Sequence, residues 1–236
     1  MSETVSTAGA ATLGQIRTPA TAGNPLGGPT LPAVAAWLGV RLLGRPRRFG
    51  KVIVAARHRH VTEVLGRDLD FGIAPVNGAR MQAVNGPFVL GLDRGAQLAA
   101  ERRALYAALA NVDLDAIAAQ AAEEADGLLA AAGGSIDVVG GYARLVAART
   151  ARRLFGVSGP DEATFLEVAR AIFAHTFLNL GGDKAVEARA LKAAPLMRAW
   201  LADEIARRRA SRITGDDLMG ALMREPALDD LSLIHI

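Results

Sequence analysis

Apolar residues recur at helical spacing along most of the chain after residue 93. Phe165, Ile172 and Phe173, for example, fall on one face of a helix predicted over residues 160–180. Asp161 lies ahead of this pattern, as is typical of a helix start. The same reasoning predicts helices over residues 94–110, 112–132, 138–155, 160–180, 184–209 and 215–224.

The chain before residue 93 is more varied. Its pattern predicts a short apolar helix over 31–43, a β-strand over 51–55 and a helix over 61–65 that is closed by Gly66. Residues 68–92 alternate turn formers with apolar residues, which predicts a long irregular segment that is usually functional. The predicted fold class is therefore mainly α with a small β element.

The domain organisation is predicted to be simple. Residues 1–30 are rich in Ala, Gly, Thr and Pro and are interpreted as a loose leader. Residues 31–230 show neither an internal repeat nor an obvious linker, so we expect one domain. Residues 231–236 read Leu-Ser-Leu-Ile-His-Ile, which resembles a translated sequencing adaptor and predicts a non-native tail.

Composition narrows the possible classes of protein. The net charge of +3 is modest, and the arginines are spread along the chain among 24 acidic residues, so we expect no nucleic-acid partner. The chain contains no cysteine, which excludes disulfides, thiolate nucleophiles and cysteine-bound metals within this sequence. We see no secretory signal and no apolar stretch long enough to span a bilayer, so we expect a cytoplasmic protein without a membrane partner.

The usual catalytic and nucleotide-binding motifs are missing. The sequence has no G-x-S-x-G elbow, no Walker A loop and no G-x-G-x-x-G fingerprint. His58 and His60 would share a face if the strand extended to them, but two histidines alone are weak evidence for a metal site. His175 lies in a Phe-rich helix, where a packed or hydrogen-bonded histidine is more frequent than a ligand.

Arg102 stands out on the predicted helix 94–110. At 100° per residue it shares a face with Leu98, Leu105 and Leu109, whereas Arg103 points away. A guanidinium that faces a core is costly unless an anion meets it. The anion could be an internal carboxylate or a carboxylate or phosphate of a ligand, and the long side chain could instead extend to the surface.

The order of these elements resembles the bacterial cytochrome P-450 family, the haem-thiolate monooxygenases. The resemblance covers roughly residues 30–230 and rests on ordered patterns. Its best pieces are Leu92-Asp93 leading into the Arg-bearing helix, the Leu-Phe-Gly-Val segment 154–157 and the Asp-Asp-Leu segment 216–218.

The resemblance implies roles for particular residues. Arg102 matches the family's arginine that binds a haem propionate, whereas Leu98 stands where the family has a histidine or an aromatic residue. The family's substrate contacts come from the loop before this helix and from the helix pair near 163–205. The corresponding candidates here are Phe71, Phe88, Val89, Phe173 and Phe177, for each of which ordinary packing is at least as good an interpretation.

The resemblance also implies what this sequence lacks. In the family, an acid/Thr helix, a Glu-x-x-Arg brace and a loop with the axial Cys follow this region. We therefore expect the N-terminal part of the fold, truncated before the long central helix, which does not bind haem through iron and is inactive. The intact parent would insert one oxygen atom of O₂ into an apolar small molecule, with electrons from a donor protein such as a ferredoxin.

Two further hypotheses remain open. The first is a complete, cofactor-free, all-helical protein that binds a small molecule. The second is a hydrolase with unusual spacing, although the sequence offers no plausible pair of nucleophile and base. If the chain is a fragment, helices 138–155 and 160–209 should expose apolar faces and favour aggregation.

Overall fold

A computed structural model describes residues 31–87, 89–179, 181–213, 215–225 and 228, without the side chains of residues 31–33, 36 and 43. The predicted leader 1–30 and tail 231–236 lie outside the described residues. The fold is mainly helical with one small sheet, as the sequence predicts. Its helices are α1 Leu31–Leu43, α2 His58–Gly66, α3 Ala79–Asn85, α4 Ala96–Leu109, α5 Leu114–Ala131, α6 Arg144–Phe155, α7 Glu162–Phe173, α8 Lys184–Ser211 and α9 Leu218–Met223.

The sheet is a single antiparallel hairpin. Strand β1, Arg47–Phe49, pairs with β2, Val52–Val54, so that Phe49 lies opposite Val52 across a two-residue turn. Gly50 opens this turn with φ of 60°, a conformation that glycine adopts without steric cost. The sequence predicts β2 but not β1, because three residues that include two arginines carry little strand signal.

Aspartates begin most of the helices in the second part of the chain. Asp113, Asp161, Asp183 and Asp217 each accept hydrogen bonds from backbone N–H groups in the first turn of α5, α7, α8 and α9. These side chains satisfy donors that have no partner inside the helix, which typically contributes about 1 kcal/mol per cap. The helix predicted from residue 160 thus begins two residues later, at Glu162, with Asp161 as its cap.

Three predicted segments contain elements that their sequence pattern does not show. Residues 68–92 are not wholly irregular, because a π-helical turn at Ala74–Gly78 leads into α3. The predicted helix 138–155 begins with a π-helical turn, Val138–Ala143, and helix 160–180 ends with another, Ala174–Leu178. An inserted π turn leaves local apolar spacing almost unchanged, so periodicity does not reveal it.

The core lies where α7 and α8 pack on each other and on their neighbours. Its largest cluster joins Phe165 of α7, Ile205 of α8 and Leu218 of α9 with Leu105 and Leu109 of α4. Three alanines of α8, at positions 190, 193 and 194, are fully buried and allow α7 and α3 to approach closely. Residues 31–66 contribute only Val40 to the buried apolar side chains of the described chain.

Exposed large apolar side chains outnumber buried ones among the described residues. On the segments that were expected to expose apolar faces, the side chains of Val138, Val139, Phe155, Phe173 and Phe177 are all exposed. Exposed apolar residues are normal on a protein surface when they are isolated. The expected aggregation stays a prediction.

Candidate functional site

Two of the predicted substrate contacts meet in the structure. Phe173 ends α7 and Phe177 lies in the π-helical turn that follows, with their ring centroids 4.9 Å apart and the rings tilted by 45°. Both rings reach solvent, with exposures of 54% and 37%. Tilted aromatic pairs at this separation attract each other, so the two rings form a preorganised apolar surface.

A buried polar network lies in the same π-helical turn as Phe177. His175 is 4% exposed, and its Nδ1 lies 3.2 Å from the amide nitrogen of Asn179, which can only donate. Asn179 also donates to the Asp183 carbonyl at 2.9 Å, at the start of α8. Thr176 accepts a hydrogen bond from Asn85 of α3 at 3.3 Å. The network therefore ties the π turn to both α3 and α8.

The charge state of His175 follows from its surroundings. Burial lowers the pKa of His175 below its ordinary value of 6.5, Glu187 opposes this change, and Arg80 and Lys184 reinforce it. The imidazole is therefore neutral near pH 7. Since its described partner is a structural amide, its environment is that of a packed, hydrogen-bonded histidine, the more frequent alternative in such a helix.

The other predicted substrate contacts lie apart from this pair in the chain. Val89 is buried in a 3₁₀ turn, Val89–Gly91, that packs on α4. Phe71 is 48% exposed, and the Arg67 guanidinium lies 5.5 Å from its ring centroid. The prediction for Phe88 lies outside the described residues. No described contact brings Phe71 or Val89 to the aromatic pair.

Asp93 holds together residues 68–92, the segment that contains Phe71 and Val89. Its Oδ1 accepts hydrogen bonds from the backbone N–H groups of Ile73, at 2.6 Å, and Ala74, at 3.0 Å. Arg94, the next residue, forms an ion pair with Asp68 at 2.8 Å. Asp93 and Arg94 therefore join the end of this segment to its beginning, immediately before α4.

Arg102 is exposed on α4, so the expectation that it faces the core is wrong. Its predicted neighbours Leu98, Leu105 and Leu109 are half-buried, but α4 packs mainly through its second half against α9. Within the described ranges, Arg102 forms no ion pair. Its guanidinium is thus accessible to a ligand carboxylate, and its role as a propionate contact stays a prediction.

His58 and His60 do not share a face. Both lie in the first turn of α2, where residues two apart point to nearly opposite sides of the helix. His60 Nε2 accepts a hydrogen bond from the neighbouring Arg59 at 3.2 Å. Among the residues that the structure describes, no three His, Asp or Glu side chains gather in a group that could hold a metal ion.

The strongest electrostatic cluster was not predicted. Arg208 of α8 is nearly buried and donates to both oxygens of Asp217 at 2.7 Å, to Glu204 at 2.6 Å and to the carbonyl of Gly156 at 2.7 Å. It thereby fastens the end of α8 to the end of α6 and the start of α9. In the sequence alone, Arg207, Arg208 and Arg209 indicate only the favourable effect of cations at a helix C-terminus.

Glu204 is the ionisable group that this cluster changes most. Burial opposes its ionisation, but hydrogen bonds from Arg207, Ser158 and Arg208 outweigh burial and lower the pKa of Glu204 to about 2. A carboxylate held in its ionised form and fully hydrogen-bonded is a poor general acid or base near neutral pH. The cluster is therefore a structural anchor. The Glu204/Arg208 spacing of four residues is the one sequence signal for it.

Comparisons of the chain with protein-family models, with curated proteins and with solved structures find no match. Among the described residues, no helix is both long and apolar enough to cross a membrane.

Proposed function

We propose that this chain is the helical N-terminal part of a haem-dependent monooxygenase, whose intact form inserts one oxygen atom of O₂ into an apolar small molecule. The proposal rests on the order of the sequence elements, which resembles that of the bacterial cytochrome P-450 family. The single structural observation that supports it is Arg102, an exposed arginine on α4 at the position where the resemblance places a haem-propionate contact, with no ion pair among the described residues.

The residues of this chain do not by themselves make a haem site. The sequence contains no cysteine to supply a thiolate ligand, and Leu98 offers no hydrogen bond to a second propionate. What the chain can contribute is one charge-assisted contact from Arg102 and the apolar surface of Phe173 and Phe177. In this proposal the iron ligand, the oxygen-activating residues and the docking site for an electron donor such as a ferredoxin belong to sequence that this chain does not contain.

A cofactor-free helical protein that binds a small molecule is the second candidate. The exposed, paired rings of Phe173 and Phe177 favour it, because a fixed aromatic surface can take up an apolar ligand with or without haem. The two candidates make opposite predictions about the gene, since only a monooxygenase needs an axial Cys.

The source DNA across codons 225–240 and several hundred bases beyond distinguishes the candidates. The monooxygenase proposal expects the reading frame to continue past Asp230 into an acid/Thr helix, a Glu-x-x-Arg segment and a Cys loop. A stop codon directly after Ile236 would remove the proposal and leave the binding protein as the leading idea.

The role of Arg102 has its own test in the protein that the whole reading frame encodes. Arg102→Ala should weaken haem retention, measured by the rate at which apomyoglobin removes haem, whereas Arg103→Ala on the same helix should not. A charged hydrogen bond contributes about 1.5–3 kcal/mol, which corresponds to about tenfold or more in haem affinity. Equal effects of the two variants would exclude a propionate contact at Arg102.

A further inference from the structure

Charge is distributed unevenly along this chain, although its net charge is small. Residues 31–62 contain seven arginines and lysines and no acidic residue, whereas the remaining residues carry 20 basic and 24 acidic side chains. The even spread of arginines expected from the composition is therefore wrong for this segment. In the structure the segment forms α1, the β-hairpin and the start of α2.

A few residues of this basic segment line an open cleft of about 600 Å³. Its lining comes from Arg41 near the end of α1 and from residues 56–59, which include Arg57, His58 and Arg59. A cleft of this volume is within the range of small-molecule sites. Three of the five lining residues are thus arginines, and none of the five is acidic.

Two of these guanidinium groups approach the same residue. A Cβ atom at Gly44 would lie 2.6 Å from Arg57 Nη2, and Arg59 Nη2 donates to the Gly44 carbonyl at 3.3 Å. The third arginine, Arg41, lies with its guanidinium 5.1 Å from the Trp37 ring centroid, a contact that positions the charge without neutralising it.

No described acidic side chain compensates these charges. None of the ion pairs in the described part of the chain includes a basic residue between positions 41 and 59. Like charges held close together repel, and an anion between them would remove that cost. The cleft therefore has the electrostatics of an anion site.

The start of α2 adds uncharged donors to the same place. The helix begins at His58, directly after Arg57, and no side chain caps its first turn. The first backbone N–H groups of a helix have no partner inside the helix and favour an anion. These donors belong to residues that line the cleft, so the backbone N–H dipoles and the charged side chains both favour an anion there.

We infer that this cleft binds a phosphate group, free or on a larger molecule. Three arginines match a phosphate dianion better than a single carboxylate, which would leave most of their charge uncompensated. The phosphate could belong to a soluble phosphate ester or to a lipid headgroup, and both share this chemistry. The inference does not depend on the proposed monooxygenase function, since the cleft contains none of the residues assigned to it.

The test is calorimetric titration of the purified chain with inorganic pyrophosphate at low ionic strength, and co-sedimentation with phosphatidylcholine vesicles with and without phosphatidic acid. Arg57→Gln should weaken binding about tenfold or more, as expected for loss of a charged hydrogen bond. Arg103→Gln removes the same charge from exposed α4 and should leave binding unchanged. Circular dichroism of each variant verifies that the fold is intact.

Each outcome decides the inference. Pyrophosphate binding that depends on Arg57 but not on Arg103 supports it with a soluble ligand. The same dependence seen only with phosphatidic acid vesicles supports it with a lipid headgroup. Absence of binding to either probe, or equal weakening by both variants, overturns it.

Discussion

Replacing Arg208 by methionine tests whether the buried ion cluster anchors the fold. The Arg208 side chain is only 10% exposed, and its partners Glu204 and Asp217 are 3% and 20% exposed. Methionine keeps much of the side-chain volume but removes every donor, so Asp217 loses two hydrogen bonds of 2.7 Å and Glu204 loses one of 2.6 Å. The variant thus leaves carboxylates in a site from which water is largely excluded.

The expected loss is large relative to the stability of a domain. Removing one partner of a buried ion pair costs about 3–5 kcal/mol, against about 5–15 kcal/mol for the whole free energy of unfolding. For a chain of this length, 1 kcal/mol changes Tm by about 2–4 °C, so Arg208→Met should lower Tm by roughly 6–20 °C. Urea unfolding followed by circular dichroism measures the free energy, and a thermal melt measures Tm.

The neighbouring arginine provides the matched control. Arg207 also contacts Glu204, at 2.5 Å, but its side chain is 63% exposed. Only one partner of this pair is exposed, and Glu204 keeps its hydrogen bonds from Ser158 and Arg208 when Arg207 is lost, so Arg207→Met should lower the free energy of unfolding less than Arg208→Met. A loss below about 1 kcal/mol for Arg208→Met, or equal losses for both variants, would refute the reasoning from burial.

Three further predictions concern stability. The pKa of Glu204 is about 2 in the folded protein, against an ordinary value of 4.5. Its ionised form therefore adds about 3 kcal/mol to the free energy of unfolding above pH 4.5, and this contribution is lost as the pH falls towards 2. An acid titration of the free energy of unfolding measures the loss. Gly156→Ala should cost about 2 kcal/mol or more, because φ is 70° and the new Cβ would overlap the Asp217 carboxylate. Ala193→Leu should cost about 1–3 kcal/mol by overpacking a fully buried site, and urea unfolding measures both losses.

Each of these predictions has a control. Glu204→Gln should flatten the acid dependence, and an unchanged slope between pH 4.5 and 2 would contradict the role of Glu204. Gly127→Ala, in open space within α5, should stabilise by about 0.5–1 kcal/mol, so a gain at Gly156 as well would be inconsistent with the φ argument. Ala202→Leu on the exposed face of α8 should be nearly neutral, and equal losses at both alanines would exclude overpacking.

Local signals in the sequence account for most of the helices. The apolar run 31–43 has the bounds of α1 in the structure, and the helix predicted from residue 160 begins only two residues later as α7. These elements are predictable because capping and periodicity act within one or two turns. Helix α3 was missed for the opposite reason, since it is short and lies among the turn formers of residues 68–92.

The candidate site was harder to predict because it depends on contacts between distant residues. A helical wheel places Arg102 among leucines but cannot show that α9 covers only the second half of α4, which leaves the guanidinium exposed. The partners of Arg208 come from three separate segments. The proximity of Phe173 and Phe177 was easier to foresee, since residues four apart on a helical segment are neighbours.

The reduced-CO absorption spectrum of the protein encoded by the whole source reading frame tests the central claim most directly. The monooxygenase account predicts the band of a thiolate-ligated haem in that protein, and its absence from the 236-residue chain, which has no cysteine. A full reading-frame product that folds, is supplied with haem and still lacks this band would contradict the account.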